Sequence, residues 1–99
     1  MAKKDSTPVD QVIAALADPT RRMLFEAILR EPGPTTSQLA ARAKSMSRWG
    51  VIKHLAVLRD AGLIQTMATG RLRRHYAERS QNENGKIRGV TRLLQHFNN

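Results

Sequence analysis

Two capped helical segments separated by only a few residues lie between Thr35 and Leu63, in TTSQLAARAKSMSRWGVIKHLAVLRDAGL, and they constrain this chain more than any other feature. Thr35 is a helix-capping residue, and Gln38, three positions on, is placed to complete a capping box by reaching back to the cap's backbone. Leu39, Ala40 and Ala43 give that helix a small apolar face. After Lys44-Ser45-Met46, Ser47 caps a second helix that runs from Arg48 to about Ala61 and stops at Gly62. At 100° per residue, Val51, Leu55 and Leu58 fall within about 60° of one another, while Trp49, Lys53, Ala56 and Asp60 take the opposite side. One side packs, and the other is free to touch a partner.

The flanking segments carry the same punctuation. Residues 1–6 are polar and predict a disordered tail. Thr7 reads as a cap with Pro8 at the first helical position and Asp10 near the positive helix end. Val9, Val12, Ile13 and Leu16 then recur at i, i+3, i+4 and i+7, predicting a first helix over 7–17 that is too short to persist undocked. Asp18-Pro19 repeats the signal and opens PTRRMLFEAILR, with Leu24, Phe25, Ile28 and Leu29 inward, before Glu31-Pro32-Gly33-Pro34 ends it.

From Leu63 the apolar period becomes two. Leu63–Met67 and Leu72–Tyr76 flank Ala68-Thr69-Gly70-Arg71 and predict a hairpin occupying 64–77. An isolated two-stranded hairpin is marginal in water, so this one must lean on the helices, with Tyr76 closing it onto them. After a polar connection over 78–85, Ile87, Val90, Leu94 and Phe97 mark one face of a last helix over 86–97. The pattern is a mainly α fold with a small β-hairpin. It predicts a winged helix-turn-helix of about five helices plus a two-stranded antiparallel wing, one domain over 7–99.

Charge narrows the function. Seventeen Lys and Arg against eight Asp and Glu leave a net charge of +9, gathered in Arg48–Lys53 and Arg71–Arg74. A small basic domain most often meets nucleic acid, here double-stranded DNA. No cysteine is present, which excludes disulfides, thiolate metal sites and sulfur-based redox sensing in this sequence. His54, His75 and His96 have no local metal-ligand spacing, so no metal and no cofactor are expected. A histidine–carboxylate site at a subunit interface, using His96, is the minor alternative. Gly33, Gly50, Gly62 and Gly70 form no phosphate-binding fingerprint and no nucleophile signature is present, so no enzymatic activity is expected. The N-terminus lacks a signal-peptide core and no apolar run approaches the roughly 20 residues of a membrane span, so a cytoplasmic, membrane-free protein is expected.

With these residues in view, the chain resembles the ArsR-type (arsenic-repressor-type) winged-helix transcriptional regulators. The resemblance covers roughly residues 9–77. It is carried by Ala15-Leu16-Ala17-Asp18-Pro19-Thr20-Arg21-Arg22, by Thr35-x-x-Gln38-Leu39-Ala40, and above all by Ser47-Arg48-x-x-Val51-x-Lys53-His54-Leu55-x-x-Leu58-x-x-Ala61-Gly62-Leu63. The basic hairpin ending Arg74-His75-Tyr76 completes it. The resemblance implies a homodimeric repressor whose first and last helices (7–17 and 86–97) form the subunit interface and whose paired fourth helices enter successive major grooves of an inverted-repeat operator. Two departures stand out. The cysteine motif of metal-sensing members is absent, the corresponding stretch being Met46-Ser47-Arg48-Trp49-Gly50, and the small residue that usually eases the turn is replaced by Lys44-Ser45-Met46.

The expected DNA-facing set is Thr36, Ser37, Ser47, Arg48, Trp49, Ile52, Lys53, Arg71, Arg73 and Arg74. Arg48 and Lys53 have the geometry to bond guanine edges or phosphates. Trp49 either packs on a thymine methyl or sugar, or folds back against the third helix as core. Ile52 either touches a base methyl or is partly buried, and His54 is expected to be a satisfied structural group. Strand alternation sends Arg71 and Arg73 to one face for phosphate or minor-groove contact and Arg74 to the other. Val9, Val12, Ile13, Leu16, Ile87, Val90, Leu94 and Phe97 are the expected dimer interface. The competing reading is a basic winged helix used for architecture, or for RNA or protein contacts, without sequence-specific readout. No effector is assigned: an organic ligand, a partner protein or none are the alternatives.

Overall fold

The structure, a computed structural model, describes residues 8–78. Six elements follow in chain order: α1 (Pro8–Ala17), α2 (Pro19–Arg30), α3 (Thr36–Arg42), α4 (Arg48–Asp60), β1 (Ile64–Thr69) and β2 (Leu72–Ala77). The described residues thus hold four helices and not about five. The expected helix over 86–97, with Ile87, Val90, Leu94 and Phe97, lies outside them, as do the tail 1–6 and the Thr7 cap.

Each helix start has a chemical cause. Pro8 and Pro19 begin α1 and α2, where proline forfeits no hydrogen bond and its φ is already helical. The Asp18 carboxylate accepts the Arg21 N–H at 3.0 Å, and this bond is the main reason its pKa lies below the usual 3.8. The Thr35 hydroxyl accepts the Gln38 N–H at 3.1 Å while the Gln38 side chain accepts the Thr35 N–H at 2.9 Å, closing the capping box. Ser47 caps α4 by accepting the Gly50 N–H at 3.1 Å.

The turn between α3 and α4 needs no glycine. It closes with the Met46 N–H donating to the Ala43 carbonyl at 3.1 Å, and no described residue other than glycine has a positive φ. At the far end of α4 the Gly62 N–H donates to Arg59 O at 2.9 Å and the Leu63 N–H to Leu58 O at 3.0 Å. These paired closures make a Schellman motif, and the apolar contact that accompanies such motifs is available between Leu58 and Leu63, both buried.

The core is assembled from one face of each element: Leu16 of α1, Leu24, Phe25 and Ile28 of α2, Leu39 of α3, Val51, Leu55 and Leu58 of α4, then Leu63 and Ile64. Each such side chain stabilises the fold by about 1.5–3 kcal/mol relative to exposure. Arg21 braces three helices at once. It donates to the Ala15 carbonyl at 2.8 Å, to the Ala14 carbonyl at 3.4 Å, and to His54 Nδ1 on α4 at 3.1 Å. His54 is therefore a satisfied structural group, as its place beside the packed stripe suggested.

The first-helix stripe divides. Leu16 is fully packed in the protomer's own core, which corrects its expected place in a subunit interface, and Val12 is half-buried against that core. Val9 and Ile13, with 61% and 44% of their surface exposed, are not covered by any of the described residues.

The hairpin is tighter than expected. β1 and β2 pair antiparallel from Ile64↔Ala77 to Thr69↔Leu72, so the turn is Gly70-Arg71 and not the four residues from Ala68 to Arg71. Gly70, with φ 64°, holds the first central position, where a II′ turn places glycine and thereby matches the twist of the strands. Arg71 consequently sits in the turn itself, outside the strand alternation.

A candidate nucleic-acid interface

The root of the wing is sewn to the start of α3 by main-chain bonds. His75 N–H donates to Pro34 O at 3.0 Å, Gly33 N–H donates to His75 O at 3.1 Å, and Thr35 bridges Arg74. Gly33 has φ 87°, and a Cβ there would lie 3.2 Å from the Tyr76 ring, so the loop admits both the backbone turn and the ring only as glycine. Tyr76 thus closes the hairpin onto the α2–α3 loop.

Between α3, α4 and the wing this seam leaves an open groove of about 670 Å³. Arg48 and Arg59 of α4 and Arg71 and Arg73 of the wing line it, and none of the described residues lining it is a carboxylate. Four guanidiniums around one concavity make a field suited to a polyanion. Arg48 also donates to the Ser37 hydroxyl at 2.9 Å, tying the first turns of α3 and α4 together while leaving other guanidinium N–H groups free to donate.

On the floor of the groove His75 is buried, with 2% of its surface exposed. Its Nε2 lies 2.8 Å from the Thr36 hydroxyl and its Nδ1 lies 2.9 Å from the Thr66 hydroxyl, so one ring joins α3 to β1. Burial, then the Arg59 and Arg73 charges, lower its pKa from 6.5 to about 4, and the ring is neutral near pH 7. Neither His75 nor Arg59 entered the expected site. Period-two alternation put His75 on the Arg73 side of β2, but only the packing of α3 above it makes the position buried.

The expected DNA-facing residues separate into two groups. Ser37, Ser47, Arg48, Trp49, Ile52, Lys53, Arg71 and Arg73 are all exposed. Trp49, 65% exposed, does not fold back as core, and Ile52 is 39% exposed beside it. Thr36 and Arg74 are different. The Thr36 side chain is 7% exposed and its hydroxyl is held by His75, while Arg74 donates to the Gly33 carbonyl at 2.7 Å. Both lock the wing to the helices, because the wing root pairs with the α2–α3 loop instead of standing free.

Among the described residues no three His, Cys, Asp or Glu side chains are grouped to hold a metal ion. No described helix is long and apolar enough to cross a membrane.

Similarity to known proteins agrees with this geometry. The family described as a helix-turn-helix domain matches residues 16–66. Over 69 residues, 65% of this chain and 75% of the other, the sequence is 33% identical to the uncharacterized HTH-type transcriptional regulator YuzN of Bacillus subtilis (strain 168). An ArsR-like transcriptional regulator from Rhodococcus sp. RHA1 has a similar structure, with 28% identity, 92% of this chain and 79% of that chain covered, and a TM-score of 0.67. The homodimeric winged helix-turn-helix DNA-binding domain Mb0332 from Mycobacterium bovis shares the fold at 20% identity, with 92% and 75% covered and a TM-score of 0.70. The matched segment runs from the end of α1 through the helix-turn-helix into β1, and the wing completes it: the chain belongs to the helix-turn-helix domain family and is a cysteine-free, DNA-binding transcriptional regulator of the ArsR winged-helix type.

Proposed function

We propose that this regulator is a homodimeric repressor that reads an inverted-repeat operator with α4 and grips the flanking backbone or minor groove with the tip of its wing. The observation that carries the reading is the division of α4. Val51, Leu55 and Leu58 are buried, while Arg48, Trp49, Ile52 and Lys53 stand exposed beside a groove edged by Arg71 and Arg73. Arg48 and Lys53 contact base edges or phosphates. Ser47 presents the start of α4 to the backbone next to Ser37, and Arg71 and Arg73 each neutralise a phosphate. Thr36 and Arg74 act indirectly, by holding the wing at its angle.

Dimerisation is supported by the apolar surface left on α1 at Val9 and Ile13, which the expected stripe Ile87, Val90, Leu94 and Phe97 would extend. The winged-helix neighbour Mb0332 is homodimeric. A two-fold axis would set the two α4 helices about one DNA turn apart.

Selection of bound sequences from random duplex DNA, with sedimentation of the free protein, tests the proposal. A palindromic consensus bound about a thousandfold or more above random duplex at fixed salt, by a dimer, is expected. Uniform affinity for all duplexes would instead identify an architectural module, and a monomer on an asymmetric site would remove the two-fold reading. Arg48→Ala should weaken operator binding; full affinity at matched salt would take Arg48 out of the contact set.

A further inference from the structure

The outward surface of α4 sets an apolar pair, Trp49 and Ile52, among cations near the start of the helix. Recognition helices meet bases with their N-terminal residues, and the exposed positions there are Arg48, Trp49, Ile52 and Lys53. Arg48 and Lys53 can donate to base acceptors or phosphates, whereas isoleucine has no polar group and the indole has a single N–H. Trp49 and Ile52, three residues apart on adjacent turns, form one patch that no described residue covers, being 65% and 39% exposed. Cations frame the patch: Arg48 and Lys53 on the helix, Arg71 and Arg73 across the groove. That frame selects a polyanionic duplex as the occupant of the patch.

Inside a major groove, most base-edge atoms want hydrogen-bond partners. An indole pressed on guanine O6 or cytosine N4 would strip water from those atoms and return at most one bond. The one apolar group that the groove offers is the C5-methyl of thymine. We propose that Trp49 and Ile52 are specificity-determining residues that read thymine through its methyl, so that each half-site carries at least one A·T pair with thymine turned toward this patch. The inference rests on α4 being the helix that enters the groove, and adds to that reading which base it selects.

The test removes methyls one at a time. In an operator recovered by selection, each thymine of a half-site is replaced in turn by deoxyuridine, which keeps every hydrogen-bonding atom. Wild-type affinity is expected to fall about fourfold at one or two positions, the change that corresponds to one buried carbon. In Trp49→Ala and Ile52→Ala the same replacements should have little effect at the position each residue covers, as a double-mutant cycle requires. Because Trp49 is largely exposed, Trp49→Ala should keep the wild-type melting temperature, and Ile52→Ala, at a position 39% exposed, should lower it only modestly. Trp49 is the only tryptophan, so its fluorescence gives a second readout. Emission should change on binding the thymine operator and change less on the matching deoxyuridine operator.

Operator binding that is unaffected by every deoxyuridine replacement would overturn the methyl readout while leaving α4 as the reading helix. Sensitivity that persists undiminished in both variants would overturn the assignment to these two residues. Failure of the wild-type protein to hold any duplex would overturn the reading of α4, and this inference with it.

Discussion

Lowering the pH toward 4 places a charge on an imidazole that the fold encloses. Two hydroxyls, from Thr36 and Thr66, lie within 2.9 Å of the His75 ring nitrogens and could accept from an imidazolium. Burial and the guanidiniums of Arg59 and Arg73 oppose that charge and win, taking the pKa from 6.5 to about 4. At about 1.4 kcal/mol per pH unit the difference amounts to about 3 kcal/mol, a sizeable part of the 5–15 kcal/mol that holds a domain folded.

The sign follows from proton counting. Between pH 4 and 6.5 the unfolded chain holds a proton on His75 that the folded chain does not, so stability rises with pH across that window. The contribution is complete above 6.5, declines as the pH falls, and is gone below about 4. Urea denaturation at a series of pH values from 4.5 to 7.5, at constant ionic strength, reads it directly. The wild-type protein should lose about 1 kcal/mol per pH unit near pH 5. His75→Gln, which keeps a donor and an acceptor but cannot be charged, should be less stable at pH 7 and show a much shallower slope. Parallel pH curves for the two proteins would refute the argument. Asp18, whose pKa is lowered below 3.8, contributes stability lost at still lower pH and does not confuse the window.

Three further outcomes are expected. Gly33→Ala meets both a φ of 87° and the Tyr76 ring at 3.2 Å, and should lower stability by about 1–3 kcal/mol in urea denaturation; a change of a few tenths would contradict the close approach. Thr35→Ala and Ser47→Ala each remove a cap on a helix of the reading unit and should cost about 1 kcal/mol, seen as a drop of several degrees in melting temperature. Arg74→Ala, which loses the 2.7 Å bond to Gly33, should reduce stability while leaving the salt dependence of DNA binding intact. Arg71→Ala and Arg73→Ala should do the reverse, each reducing the slope of log affinity against log salt by about one.

Much of this architecture was legible in the order of residues because its causes are local. A capping hydroxyl, a proline at the first helical position and a glycine after the last each act within four residues. The ends of α2, the start of α3 and the start of α4 therefore fall where the spacing put them. The alternation of Val51, Leu55 and Leu58 with Trp49 and Lys53 likewise divided α4 into a packed and an open side before any contact was known. The hairpin was legible as a hairpin but not in its turn, because Ala68 is a weak strand former and the extension of β1 through Thr69 rests on pairing with Arg73 and Leu72.

Long-range contacts decided the rest. Leu16 and Val9 share one helical stripe, yet one is core and the other open, because α2 and α4 reach only the C-terminal end of α1. Strand alternation set Arg74 on the face opposite Arg73 but could not say what it meets there. The docking of the wing root against Gly33 and Pro34 binds Arg74 to a carbonyl and leaves Arg71 and Arg73 on the groove. His75 and Thr36 lie 39 residues apart, a separation at which neither helical nor strand periodicity carries information. Sequence alone thus determined the four described helices, the hairpin and the cationic character of the open side of α4, since these depend on neighbours along the chain. Which polar groups stay open on the groove and which hold the wing depended on who sits above whom after folding, and only tertiary packing supplies that.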